Sequence, residues 1–187
     1  MELRPDFQLK TVIKALTDVV LPAVDANNKL AQEQARLVIG MLQLVALSQP
    51  LMYRYERDEL ARFLALAASL QDETRAQPVA AQASRALAEV VTIGTDVLAR
   101  ARAEPAELES ANFALREKIG ALVTASCADD PGNDNSARLK AIGAKVTAHA
   151  KAQLLRERSW LLMQGWEADP QALPTIEALI GEGPPAP

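Results

Sequence analysis

Residues 37–70 read LVIGMLQLVALSQPLMYRYERDELARFLALAASL, and the spacing of apolar side chains in this stretch decides the fold class. Leu37, Val38, Met41, Leu42 and Val45 recur at three- and four-residue steps before Pro50, as do Leu60, Phe63, Leu64 and Ala67 after it. Such steps gather side chains on one face of a coil with 3.6 residues per turn, whereas a half-buried strand alternates every second residue. Proline is tolerated at a helix start and resisted in a helix interior, so Pro50 predicts the start of a separate helix.

The same pattern extends in both directions. Towards the N-terminus, Leu9, Val12, Ile13, Leu16, Val19 and Val20 predict a first helix over residues 6–21, which Pro22 ends or kinks. A second helix follows the N-cap candidates at 25–28; its apolar stripe broadens after Arg36, so its second half is expected to be the most deeply buried helix. Towards the C-terminus, the polar connection QDETRAQ leads to a fourth helix from Pro78 to about Arg102, with Ala83, Leu87, Val90, Val91, Val97 and Leu98 inward. Its segment VVTIGT is β-branched but has no strand to pair with, so it reads as helix. The fifth helix opens at Glu104-Pro105 and turns Leu108, Leu115, Ile119, Leu122 and Val123 inward. After the loop CADDPGNDNS, Asn135 or Ser136 caps a sixth helix that runs to about Trp166. The expected fold is all-α: an antiparallel bundle of about six helices without a sheet, forming one domain over residues 1–167. Residues 168–187 are expected to be a tail with room for one short helix at 174–180 and a frayed end.

Composition narrows the function classes. The chain has 187 residues, 49% hydrophobic and 24% charged, with a net charge of −4. That balance excludes intrinsic disorder and lacks the basic excess of a nucleic-acid binder. The single Cys127 cannot form an internal disulfide, and MELRPDFQLK contains no apolar core of a secretion signal. Residues 37–48 and 60–70 are the most apolar runs, and both fall short of the ~20 residues a membrane span needs. The expectation is a cytoplasmic protein that engages neither nucleic acid nor membrane.

Catalytic and metal chemistry find little support. His149, the only histidine, lies in the row Leu139, Ile142, Val146, His149, Gln153 and is the best general-base candidate. No serine or cysteine motif accompanies it as a nucleophile, and a helical histidine commonly serves as a hydrogen-bonded packing residue. One histidine and one cysteine cannot furnish a zinc or di-iron set, so no metal is expected. The oxygen-rich run Asp129, Asp130, Asn133, Asp134 lacks EF-hand spacing and reads as turn chemistry. Neither phosphate-binding glycine motif is present, and no cofactor is expected. The carboxylates beside Cys127 work against a thiolate.

Two clusters combine aromatic and cationic groups as binding hot spots do: Tyr53, Arg54 and Tyr55 near the start of the third helix, and Arg156, Trp160, Met163 and Trp166 where the last long helix ends. The tryptophans could equally seal the end of a core. Gly40, Gly94, Gly120, Gly143 and Gly165 fall within helical patterns, where they permit close helix crossing or leave a gap for a ligand. The leading expectation is a non-enzymatic interaction or accessory module, a homodimer or bound to another protein. The alternatives are a binder of a small apolar or acyl-type ligand between helices near the glycines, and an enzyme built on His149.

The segments LKTVIKALTDVVLPAVDANNKLAQEQARLVIGML (residues 9–42) and LLRERSWLLMQGWE (residues 154–167) carry one resemblance. Together they are similar to a group of small uncharacterised bacterial helical proteins, in which a first helix ends at Leu-Pro and a tryptophan-containing helix closes the chain. The resemblance implies a fold and no activity.

Overall fold

In a computed structural model, which describes residues 4–128 and 133–180, the protein is all-α, with no strand among the described residues. The helices are α1 (Pro5–Ala15), α2 (Leu21–Ala23), α3 (Lys29–Thr74), α4 (Ala81–Ala99), α5 (Pro105–Cys127), α6 (Asn133–Trp160) and α7 (Ile176–Leu179). A π-helical turn, Leu16–Val20, joins α1 to α2. The chain divides into two compact units: Met1–Met52 with Glu157–Ile176, and Tyr53–Arg156 with Glu177–Pro187.

The principal correction concerns Pro50. It lies inside α3, a continuous helix of 46 residues, where a new helix was expected to begin. Proline removes one backbone hydrogen bond and crowds the preceding turn. Pro50 is exposed, however, and the helix after it is anchored by the packed core of the second unit, so one lost bond does not end the rod. Pro22 acts differently. The wide turn just before it absorbs the strain of its ring, and helical backbone continues to Ala23 before Val24 turns extended (φ −71, ψ 131).

The remaining boundaries follow local chemistry. Residues 74–81 form successive turns, in which Gln77 N–H donates to the Thr74 carbonyl and Ala81 N–H to that of Pro78, so α4 starts three residues after Pro78. VVTIGT is helical, within α4. Pro105 occupies the first turn of α5, and the Glu104 N–H donates to Glu107 Oε2 at 2.8 Å. α6 stops at Trp160, short of the expected Trp166. A short 3-10 turn, Leu162–Gln164, leads to Gly165 at φ 70, a conformation that only glycine adopts without cost. Arg158 then clasps Glu167 through two bonds of 2.9 and 2.6 Å.

In the second unit, α3 from Tyr53, α4, α5 and α6 up to Arg156 pack around Leu60, Leu70, Leu87, Leu108, Leu115 and Leu122. Cross-helix contacts set the directions. From α3 to α6 the pairs are Ser69 with Lys145, Phe63 with His149, Glu59 with Gln153, and Asp58 with Arg156, so these two helices run antiparallel. Glu56 meets Asn112 and Glu59 meets Arg116, so α5 runs parallel to α3. Gly94 supplies the close approach: a methyl group there would stand 3.3 Å from side-chain carbons of both Leu115 and Leu64.

The first unit is built differently. The π turn and the chain after α2 fold back against the N-terminal half of α3: Leu16 and Val20 share a furrow with Gln34, Ala35, Val38 and Ile39, and the Gln32 side chain donates to the Val24 carbonyl at 2.7 Å. Among its described residues, Ile39 is the one buried hydrophobic side chain. The half-helix expected to be the most deeply buried is instead largely open. Leu37 is 49% and Met41 47% exposed, and Leu30, Val38, Val45, Leu47 and Met52 are comparable.

Candidate functional site

The second unit encloses a buried seam of charge. Arg156, only 1% exposed, pairs with Asp58 Oδ2 at 3.1 Å, and the same oxygen accepts from Arg62 Nε at 2.6 Å. Arg156 also lies over the Tyr55 ring, donates to the Tyr55 carbonyl, and donates to Gln153 Oε1 at 2.6 Å. Gln153 passes the chain onward, donating to Glu59 Oε1 at 2.9 Å and to the Tyr55 hydroxyl at 3.2 Å. Arg116 reaches Glu59 from α5, while Asn112 donates to both the carboxylate and the carbonyl of Glu56. Buried charges persist only where partners compensate lost hydration, and here α3, α5 and α6 each contribute some. Burial nonetheless pushes the Glu59 carboxyl above the usual carboxylate range, against the pull of Arg116.

A hollow of about 60 Å³ opens beside this seam, lined by Glu56, Glu59, Glu109, Asn112, Phe113 and Arg116. At roughly 30 Å³ per water it has room for about two water molecules and not for an organic substrate. Among the described residues, no group of three or more histidine, cysteine, aspartate or glutamate side chains is arranged to hold a metal ion. His149 lies at the edge of the seam. Its ring sits 4.9 Å from that of Phe63, and its buried Nε2 has no hydrogen-bond partner. Burial, aided by Arg156, Arg62 and Arg116, holds its pKa below the ordinary value near 6.5, so the ring is neutral at pH 7. No carboxylate orients it at that nitrogen.

The sequence candidates separate. Tyr55 and Arg156 come together inside the seam, which leaves Arg156 no surface to offer a partner. Tyr53 is half-buried beneath Arg57, whose guanidinium donates to the Leu98 and Arg100 carbonyls at the end of α4. Arg54 is exposed. Trp160 is half-buried and Trp166 is 74% exposed in the first unit, while the Met163 side chain lies outside what the structure describes. Asp129 and Asp130, and the side chains of Asn133 and Asp134, lie outside it as well. Of the glycines expected to flank a ligand, Gly94 is tightly packed, and Gly40, Gly120 and Gly143 have no atom within 4 Å of an added methyl.

Two apolar surfaces remain. A groove of about 510 Å³ runs between α4 and α5, lined by Val90, Ile93, Val97, Ala106, Ala111 and Ala114, with Arg100 paired to Asp96 and Glu107 at its end. The other covers the first unit. There α3 carries an 18-residue window of mean hydropathy 1.4, of which 11% is buried, and by length and composition it is the one described helix that could cross a membrane. A signal for this surface stands in the sequence: Leu30, Leu37, Leu44 and Leu51 recur every seventh residue. Comparison with protein-family models, with curated proteins and with solved structures gives no match.

Proposed function

We propose that this protein is a non-enzymatic helical interaction module that self-associates through its first unit. One observation carries the reading: Ile39 is the single buried hydrophobic side chain described in that unit, while Val12, Val19, Val20, Leu30, Leu37, Val38, Met41, Val45 and Met52 stand about half exposed or more. A helix that is apolar all round is ordinarily covered, and contiguous exposed apolar surface of this extent marks an association site. Completing the burial of each such side chain contributes roughly 1 kcal/mol, about half the value for a fully buried one. The charge seam supports the reading from the other side, because Arg156, Asp58, Gln153, Glu59 and Arg116 pair with one another and the hollow beside them, about 60 Å³, is far below the ~300–1,000 Å³ typical of small-molecule sites. Light scattering at tens of micromolar tests it: the expected mass is a multiple of the 20.1 kDa chain, and a strict monomer that captures no protein partner overturns it.

A second reading is favoured by the α4/α5 groove, whose 510 Å³ falls within the ~300–1,000 Å³ typical of small-molecule sites. In that reading a small apolar or acyl-type ligand lies along Val90, Ile93 and Val97. Native mass spectrometry of protein purified from cells checks it, since a retained ligand adds mass that Ala114→Phe removes.

A further inference from the structure

On α3, Leu30, Leu37, Met41, Val45 and Met52 lie on one stripe, because steps of seven and four residues return nearly to the same angle. Ile39, nine residues beyond Leu30, points about 180° away and is buried within its own unit. The stripe therefore stands about half exposed along about 33 Å of helix, with the Gln164 side chain of the same unit resting on the Met41 sulfur at 3.9 Å. It continues sideways into a furrow of about 230 Å³ lined by Leu16, Val20, Gln34, Ala35, Val38 and Ile39. Val20 and Val38, on the two walls, are both about half exposed, so the furrow opens to solvent between the two arms of the hairpin.

Resting on the self-association proposed above, we infer that the partner is a second copy of this chain, docked face to face: the residue 30–52 stripes of the two copies meet across a two-fold axis, each furrow runs along the flank of that seam, and the two hairpins close into a four-helix assembly. Three features select a second copy. The 17 residues 37–53 contain no charge, so a two-fold axis near Met41, at the middle of the stripe, brings no like charges together there. The apolar face spans Leu37, Met41 and also Val38 and Val45, too broad for a two-stranded seam and suited to a four-helix core. The area also fits. A hairpin of two ~10 Å helices, one ~33 Å and the other ~28 Å long, presents about 600 Å² per copy, about 1,200 Å² for the pair, at the lower edge of the ~1,200–2,000 Å² range of stable interfaces. A bilayer suits the stripe less well: the uncharged run is shorter than ~20 residues and is broken by Gln43, Ser48 and Gln49.

Sedimentation equilibrium of the full chain, its Met41→Glu and Leu37→Glu variants, and Leu154→Glu as a charge control on an exposed leucine of the second unit, tests the pairing. The wild type and Leu154→Glu are expected at twice 20.1 kDa, and both stripe variants at 20.1 kDa with helical circular dichroism retained. Met41 lies midway along the stripe and so near the axis whichever way the helices run. In a Cys127→Ser background, Met41→Cys is therefore expected to cross-link to its own counterpart with a short bismaleimide. A dimer that survives both stripe substitutions and leaves Met41→Cys unlinked overturns the seam while leaving self-association standing. A monomeric wild type overturns both, and flotation of the wild type with phosphatidylcholine–phosphatidylglycerol vesicles overturns the pairing in favour of a bilayer.

Discussion

The Arg156 guanidinium sits 4.3 Å from the centroid of the Tyr55 ring while its Nη2 pairs with Asp58 Oδ2 at 3.1 Å, so one buried cation is held by an aromatic face and a carboxylate together. Removing the cation leaves Asp58, itself nearly inaccessible, with Arg62 as its remaining partner. Arg156→Ala is expected to cost about 3–5 kcal/mol in denaturant unfolding. The double variant Arg156→Met with Asp58→Leu should cost less, because it leaves no charge stranded.

Glycines in the second unit should respond in opposite directions to alanine. Gly120→Ala and Gly143→Ala place a methyl in open space and should each stabilise by about 1 kcal/mol through helix propensity. Gly94→Ala sets the methyl 3.3–3.4 Å from Leu115, Leu64 and Leu60, where overpacking outweighs the same helix gain, and should lose up to about 2 kcal/mol net. Thermal melts of the three variants check the contrast.

His149 sets an acid sensitivity. Its pKa is lowered in the fold, chiefly by burial, so the unfolded chain binds the proton more readily and stability rises with pH. Its contribution is present above the unfolded value near 6.5 and is lost as pH falls through the folded one. Glu59, whose pKa is raised, works in the opposite sense: its contribution is full below about 4.5 and is lost as pH rises through the folded value. Urea titrations at pH 7 and pH 5 should show that His149→Leu shrinks the loss of stability on acidification.

The end of the described chain is tied down. Arg62 Nη2 donates to the Leu179 carbonyl at 3.0 Å, and Ile180 is buried. Ile180→Ala should destabilise by about 2–4 kcal/mol, as truncation of a core aliphatic does. A smaller change in denaturant midpoint than that of the surface substitution Ile93→Ala would contradict the anchoring.

Much of the fold was legible because helix periodicity and start signals are local. Glu104-Pro105 with Glu107 marks the start of α5, and the β-branched VVTIGT stayed helical for want of a partner strand. Pro50 misled because the cost of an interior proline is an average, and neighbouring packing outweighs it. Residues 37–47 misled for another reason. Hydropathy states that Leu37 and Met41 need cover and does not state that this chain supplies it. The seam was hidden because Arg156 reads as a surface residue until Asp58 and Tyr55, about a hundred positions away, are placed beside it.

Pro50 has one further effect, on how the molecule comes apart. It contributes no N–H to the Ala46 carbonyl, so the ladder of α3 lacks a rung two residues before the first unit gives way to the second. Unzipping that starts at Lys29 meets a natural stopping place there. Deuterium uptake is expected to sweep through residues 29–49 long before it touches 58–70, and Pro50→Ala would let the fast zone and the slow zone merge.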